Sequence, residues 1–142
     1  MGCDIHFHSE VKVKGAWHHY GSASLKRDYA LFAVMANVRN AECYHGRVIP
    51  ISMPKGLPKD ISFVTQIDAD YWGADAHSAS WFNQEEIGRL QAYLEGRLGD
   101  NAYRLEMDYW GYLFGNSWTH SMPYRVGGHI IEDVRFVFWF DC

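Results

Sequence analysis

Cys3, Ile5, Phe7, Val11 and Val13 fall on one side of an alternating pattern, with Asp4, His6, His8, Glu10 and Lys12 on the other. A period of two over eleven positions predicts a half-buried strand, with acids and imidazoles in a row along one face. Lys14-Gly15 supplies a turn, and the run through Trp17 and Tyr20 predicts the returning strand of a hairpin. At the far end Val134, Phe136, Phe138 and Phe140 alternate against Arg135, Val137, Trp139 and Asp141, predicting another strand. Between them, Asp28 followed by Leu31, Phe32, Met35 and Val38 predicts an N-capped helix in "RDYALFAVMANVRN". Asn83 with Glu86 reads as a capping box for a second helix carrying Ile87, Leu90, Leu94 and Leu98, with Gly99 as its stop. Glu42 to Asp60, with three of the four prolines, reads as a long ordered loop, and "SWTHSMPYRVGGHI" as a loop over one end of the sheet. "YRLEMDYWGYLFG" fits helix and strand equally. The sum is one α+β domain over 1–142: a mostly antiparallel sheet including the N- and C-terminal strands, with two or three helices packed on it.

Composition narrows the partners. The formal net charge is -4 and no basic run exists, which disfavours duplex nucleic acid as a ligand. A small anion needs only one or two cations, so a small anionic or nucleotide-like ligand stays open. The longest apolar stretches, "ALFAVMANV" and "VRFVFWF", are far too short to span a membrane. Cys3, Cys43 and Cys142 are odd in number and match no zinc signature, and the first ten residues lack the apolar run of a signal peptide. The expectation is a soluble, reduced, cytoplasmic protein.

Two Asp-x-His units stand out: Asp4-Ile5-His6 and Asp75-Ala76-His77. On a strand, Asp4 and His6 share a face, and carboxylate with imidazole is a common ligand set for Zn or Mn. Asp75 and His77 precede the capped helix, where a loop would aim them into a pocket. The four together form a candidate divalent-metal site, with Asp4, His6 and His77 as candidate catalytic residues. The plainer alternative is a solvated strand face and a turn, since eight histidines make such pairs common. "HSASW" adds Ser78 as an anion contact; Trp81 offers indole stacking or, more plainly, a core plug. Arg39 closes the first helix, where the helix dipole accounts for it, and it becomes a phosphate partner if that helix end meets the cleft. Cys3 with His6 as its base is poor geometry, because residues three apart on a strand point to opposite faces.

"MGCDIH", "YALFAVMANVRN", "PKGLPKD", "HSASW" and "DVRFVFWFD", in that order, make the chain resemble a group of small phage and prophage proteins that begin MGCDIH. The resemblance implies a setting, the cytoplasm of a bacterial host, and work on host metabolism or defence. It brings no established activity.

Three functions fit these residues. The first is a small metal-dependent hydrolase acting on a phosphorylated small molecule or nucleotide, with metal at Asp4, His6, Asp75 and His77 and substrate held by Arg39, Ser78 and Trp81. The second is a non-catalytic protein that sequesters a nucleotide-like ligand. The third inhibits a host protein through exposed aromatics in "DADYWGADAH" or "MDYWGYLFG". An aromatic-rich surface and strand edges also leave room for a homo-oligomer.

Overall fold

The computed structural model describes residues 2–97 and 124–142, apart from the side chains of 124–126. Strand β1 (Asp4–Val13) turns at Lys14-Gly15 into β2 (Ala16–Ala23), followed by helices α1 (Tyr29–Ala36) and α2 (Asn40–Tyr44). After an irregular stretch come α3 (Phe63–Trp72), one 3-10 turn (Gly73–Asp75), strand β3 (Ala76–Phe82) and α4 (Gln84–Gly96). A small hairpin, β4 (Tyr124–Val126) and β5 (His129–Ile131), then leads into β6 (Asp133–Asp141). The main sheet has the order β2-β1-β6-β3, with every neighbouring pair antiparallel. The chain is therefore α+β, with its first and last strands paired side by side at the centre. No described helix is long and apolar enough to cross a membrane.

The alternation of β1 and β6 gives the sheet two unlike faces. Ile5, Phe7 and Val11 join Val134, Phe136, Phe138 and Phe140 on one face, where Leu31, Phe32 and Met35 of α1 and Ile87, Leu90 and Leu94 of α4 cover them. Burial of this apolar surface is the main source of stability. The other face carries Asp4, His6, His8 and Glu10 opposite Asp141, Trp139, Val137 and Arg135. That face is covered too: β6 is buried on both sides from Val134 to Phe140.

Polar residues in such a place need partners. Arg135 Nε donates to Glu10 Oε1 at 2.7 Å across the β1–β6 pair, and its Nη1 donates to Asp60 Oδ1 at 2.7 Å. The Ser62 backbone N–H (2.9 Å), the Ser62 hydroxyl and the Thr65 hydroxyl (2.9 Å) all donate to Glu10 Oε2. Trp17 lies over the Arg135 guanidinium, 4.0 Å from ring centroid to Cζ. The start of α3 is thus pinned to the sheet by hydrogen bonds rather than by an apolar stripe.

Several expected elements take a different form. The first helix stops at Ala36 because Asn37 turns left-handed (φ 63), and Val38 and Arg39 lie beyond it. The first residues of the expected loop, Glu42 to Tyr44, are helical as the end of α2, and α3 follows the loop as a helix that the pattern does not predict. The residues just before α4, expected as a loop, form the edge strand β3, whose alternation is broken by a bulge between His77 and Ser80. The N-cap of α4 agrees with the reading: Asn83 Oδ1 accepts from Glu86 N at 2.9 Å, and Glu86 Oε1 accepts from Asn83 N at 3.1 Å. Part of "SWTHSMPYRVGGHI" is the β4–β5 hairpin; Leu98, Gly99, "YRLEMDYWGYLFG" and His120 lie outside the described residues.

Burial alone would push the Glu10 carboxyl up, but Ser62 and Arg135 hold it below its ordinary 4.5. A carboxylate lowered in the folded state stabilises fully above its ordinary range and loses that contribution as pH falls through the folded value. Glu10→Ala strips Arg135 of its main partner in the interior and is expected to cost about 3–5 kcal/mol in urea denaturation. The deficit relative to wild type should shrink as the acid range is entered.

Candidate functional site

At one end of the sheet the first and last strands bring together groups that are far apart in sequence. Cys3, at the foot of β1, and Cys142, just beyond β6, form a disulfide across a sequence separation of 139. His77 of β3 is registered opposite Phe140, so its ring lies on the same face as the two sulfurs; its Nε2 is 2.8 Å from Cys142 Sγ. Its Nδ1 is 2.9 Å from the Ser78 hydroxyl. From the helix side, Arg39 Nε donates to Cys3 Sγ at 3.1 Å, and its guanidinium lies 5.5 Å from the Tyr29 ring centroid.

These groups edge a cleft of about 550 Å³ lined by Asn37, Arg39, Glu42, Gly46, His77, Ser78 and Cys142, among others. Four of the lining residues have left-handed backbone: Asn37 (φ 63), Arg39 (φ 59), Gly46 (φ 71) and Ser78 (φ 53). For each non-glycine residue this costs roughly 1 kcal/mol, and such conformations gather at functional sites. The wall is held by buried Asn40, which donates to Asn37 Oδ1 (2.8 Å) and Val48 O (2.7 Å) and accepts from Val48 N (3.2 Å). On the other wall, the bulge at Ser78-Ala79 displaces the edge strand, and Gly56 N donates to Ala79 O at 2.8 Å. The "PKGLP" turn therefore braces β3 beside the site.

The opposite face of the same sheet end holds a second set. Asp4 receives both Nε (3.0 Å) and Nη2 (2.9 Å) of Arg27, which lowers its carboxyl below the ordinary 3.8. His6 Nε2 lies 2.5 Å from Asp141 Oδ2, and its ring packs against Trp72 at 4.0 Å between centroids. His8 is buried and contacted at both nitrogens, by Asp68 Oδ2 at 2.7 Å and by His19 Nε2 at 3.0 Å. These contacts link Asp68, His8 and His19 in one chain. Burial, then the neighbouring His8, lowers His19 below the ordinary 6.5.

The residues picked from sequence separate accordingly. His77, Ser78 and Arg39 meet in one cleft. Asp4 and His6 occupy the same end of the sheet but its other face, because Asp4 and Asp141 are register partners and His6 pairs with Trp139. Asp75 is exposed in the 3-10 turn just ahead of β3. Trp81, registered with Val137, stands outside the His77 cleft and carries Lys55 Nζ 3.8 Å from its ring centroid. Cys142, Glu42 and Asp141 join these sites with no local signal in the sequence. Only the pairing of the two terminal strands brings Cys142 and Asp141 into place, and no local spacing signals that. No family model, curated protein or solved structure matches the chain.

In a proton NMR titration, His19 should titrate below 6.5, the ordinary value. His8→Asn should move it upward, since a neighbouring imidazole that competes for charge is removed. A His19 value unchanged by that substitution would mean that the two rings are electrostatically independent.

Proposed function

We propose that this protein takes a small phosphorylated ligand, of nucleotide size, into the cleft between the Asn37–Gly46 segment and His77-Ser78, and hydrolyses it. The observation that carries this reading is the convergence of Arg39, His77 and Ser78, from separate parts of the chain, on one cleft of about 550 Å³. That volume suits a nucleotide-sized ligand. The Arg39 guanidinium supplies the positive charge for phosphate oxygens. His77, hydrogen-bonded to Ser78, is placed to protonate a leaving oxygen, and Glu42 on the rim is the available carboxylate base. Capture without turnover would use the same groups.

Calorimetric titration of the reduced protein with ATP and with inorganic phosphate tests the binding step. Arg39→Ala should weaken ATP binding at least about tenfold, roughly 1.4 kcal/mol. Arg27→Ala, on the other face, should leave it unchanged. Equal affinities for the two variants would remove the reading. Phosphate released from ATP, and lost in His77→Ala, identifies hydrolysis; binding with no release makes the protein a sequestering one.

A further inference from the structure

We infer that Cys3, His77 and Cys142 form a zinc site in the reduced protein. Their three ligand atoms all lie within 4.8 Å of one another, and they are the only such group of metal-ligating side chains among the described residues. The donor set is two thiolates and one imidazole, the soft and borderline ligands that select zinc over magnesium or manganese. Three protein ligands leave a fourth tetrahedral position, as in zinc sites that carry a water. His77 and Cys142 both line the Arg39 cleft, so that position opens towards it.

The surroundings fit a metal. Cys3 is wholly buried, whereas His77 and Cys142 are exposed, giving a site anchored on the core side and open on the other. Arg39 donates to the Cys3 sulfur, as an outer partner of a thiolate ligand would. His77 keeps a second contact through Nδ1 to the Ser78 hydroxyl, which orients the ring while Nε2 faces the sulfurs. By contrast, the carboxylates and imidazoles of the other face are engaged with one another or with Arg27, and do not converge on one point.

The disulfide and the metal use the same two sulfurs and exclude each other. A phosphine reductant splits the Cys3–Cys142 bond: the phosphine is oxidised to its oxide with oxygen from water, and each sulfur gains a proton. Zn²⁺ then displaces both thiol protons, so binding releases two protons and strengthens as pH rises. Placed there, zinc would hold His77 Nε2 and so replace the acid role of that ring in the proposed hydrolysis with an activated water, but the site stands without that reading.

The test is zinc content and Co²⁺ absorption of protein made without an affinity tag and reduced with phosphine. One zinc per chain is expected, together with thiolate-to-cobalt charge-transfer absorption. Cys142→Ser and His77→Ala should each weaken Zn²⁺ binding by roughly 100-fold or more, while His6→Ala should leave it unchanged. Cys142 is exposed at the end of the strand, so its replacement tests ligation with little effect on folding. No zinc in the reduced wild type, or full binding retained in Cys142→Ser, overturns the proposal. Zinc bound by a protein that ignores ATP would sustain the site and sink the phosphoester reading. ATP binding through Arg39 with no zinc would do the reverse.

Discussion

The Glu10–Arg135 pair at the centre of the sheet sets the conditions for everything around it. It joins the first and last strands across their polar face, with Arg135 only 4% exposed and Glu10 fully buried. Neither charge tolerates that environment alone, so the chain must bring Ser62, Thr65 and Asp60 over them. That requirement draws the start of α3 onto the sheet. Once α3 is there, Asp68 reaches His8 and Trp72 reaches His6. The register that pairs Glu10 with Arg135 also pairs Asp4 with Asp141, which brings Cys3 and Cys142 to the same end. A slip of one residue would turn every side chain of β6 to the wrong face.

This explains what was legible in the sequence. The β1 alternation is legible because one face is packed by apolar helices and the other carries acids and imidazoles. β6 is legible as a short apolar run broken by Arg135, and the Asn83–Glu86 cap is a local signal. Helix α3 was invisible for the opposite reason. Only Thr65 and Ala69 of it are buried, whereas Phe63, Val64, Ile67 and Tyr71 are exposed, so no apolar stripe marks its inner face. It packs on a polar sheet face with polar side chains, and hydrophobic periodicity is blind to that. β3 looks like a loop in the sequence because the bulge at Ser78-Ala79 interrupts its period of two.

The site shows the same division. His77, Ser78 and Arg39 were found as residue types suited to an anion, and they meet. Asp4 and His6 look like partners of His77 because sequence identifies neighbours along a strand but not which face a bulged partner strand presents. The cysteines looked unrelated because their nearness is a property of strand pairing, not of spacing.

The meeting of Cys3 and Cys142 also has a topological consequence. A link between them converts the chain into a closed loop spanning a sequence separation of 139. Loop-closure entropy in the unfolded ensemble falls by an amount equivalent to about 5 kcal/mol for a ring of this size. A metal held by the same two sulfurs would close the same ring. Oxidised and metal-loaded forms would then share a restricted unfolded state, and only the metal-free dithiol would unfold as an open chain.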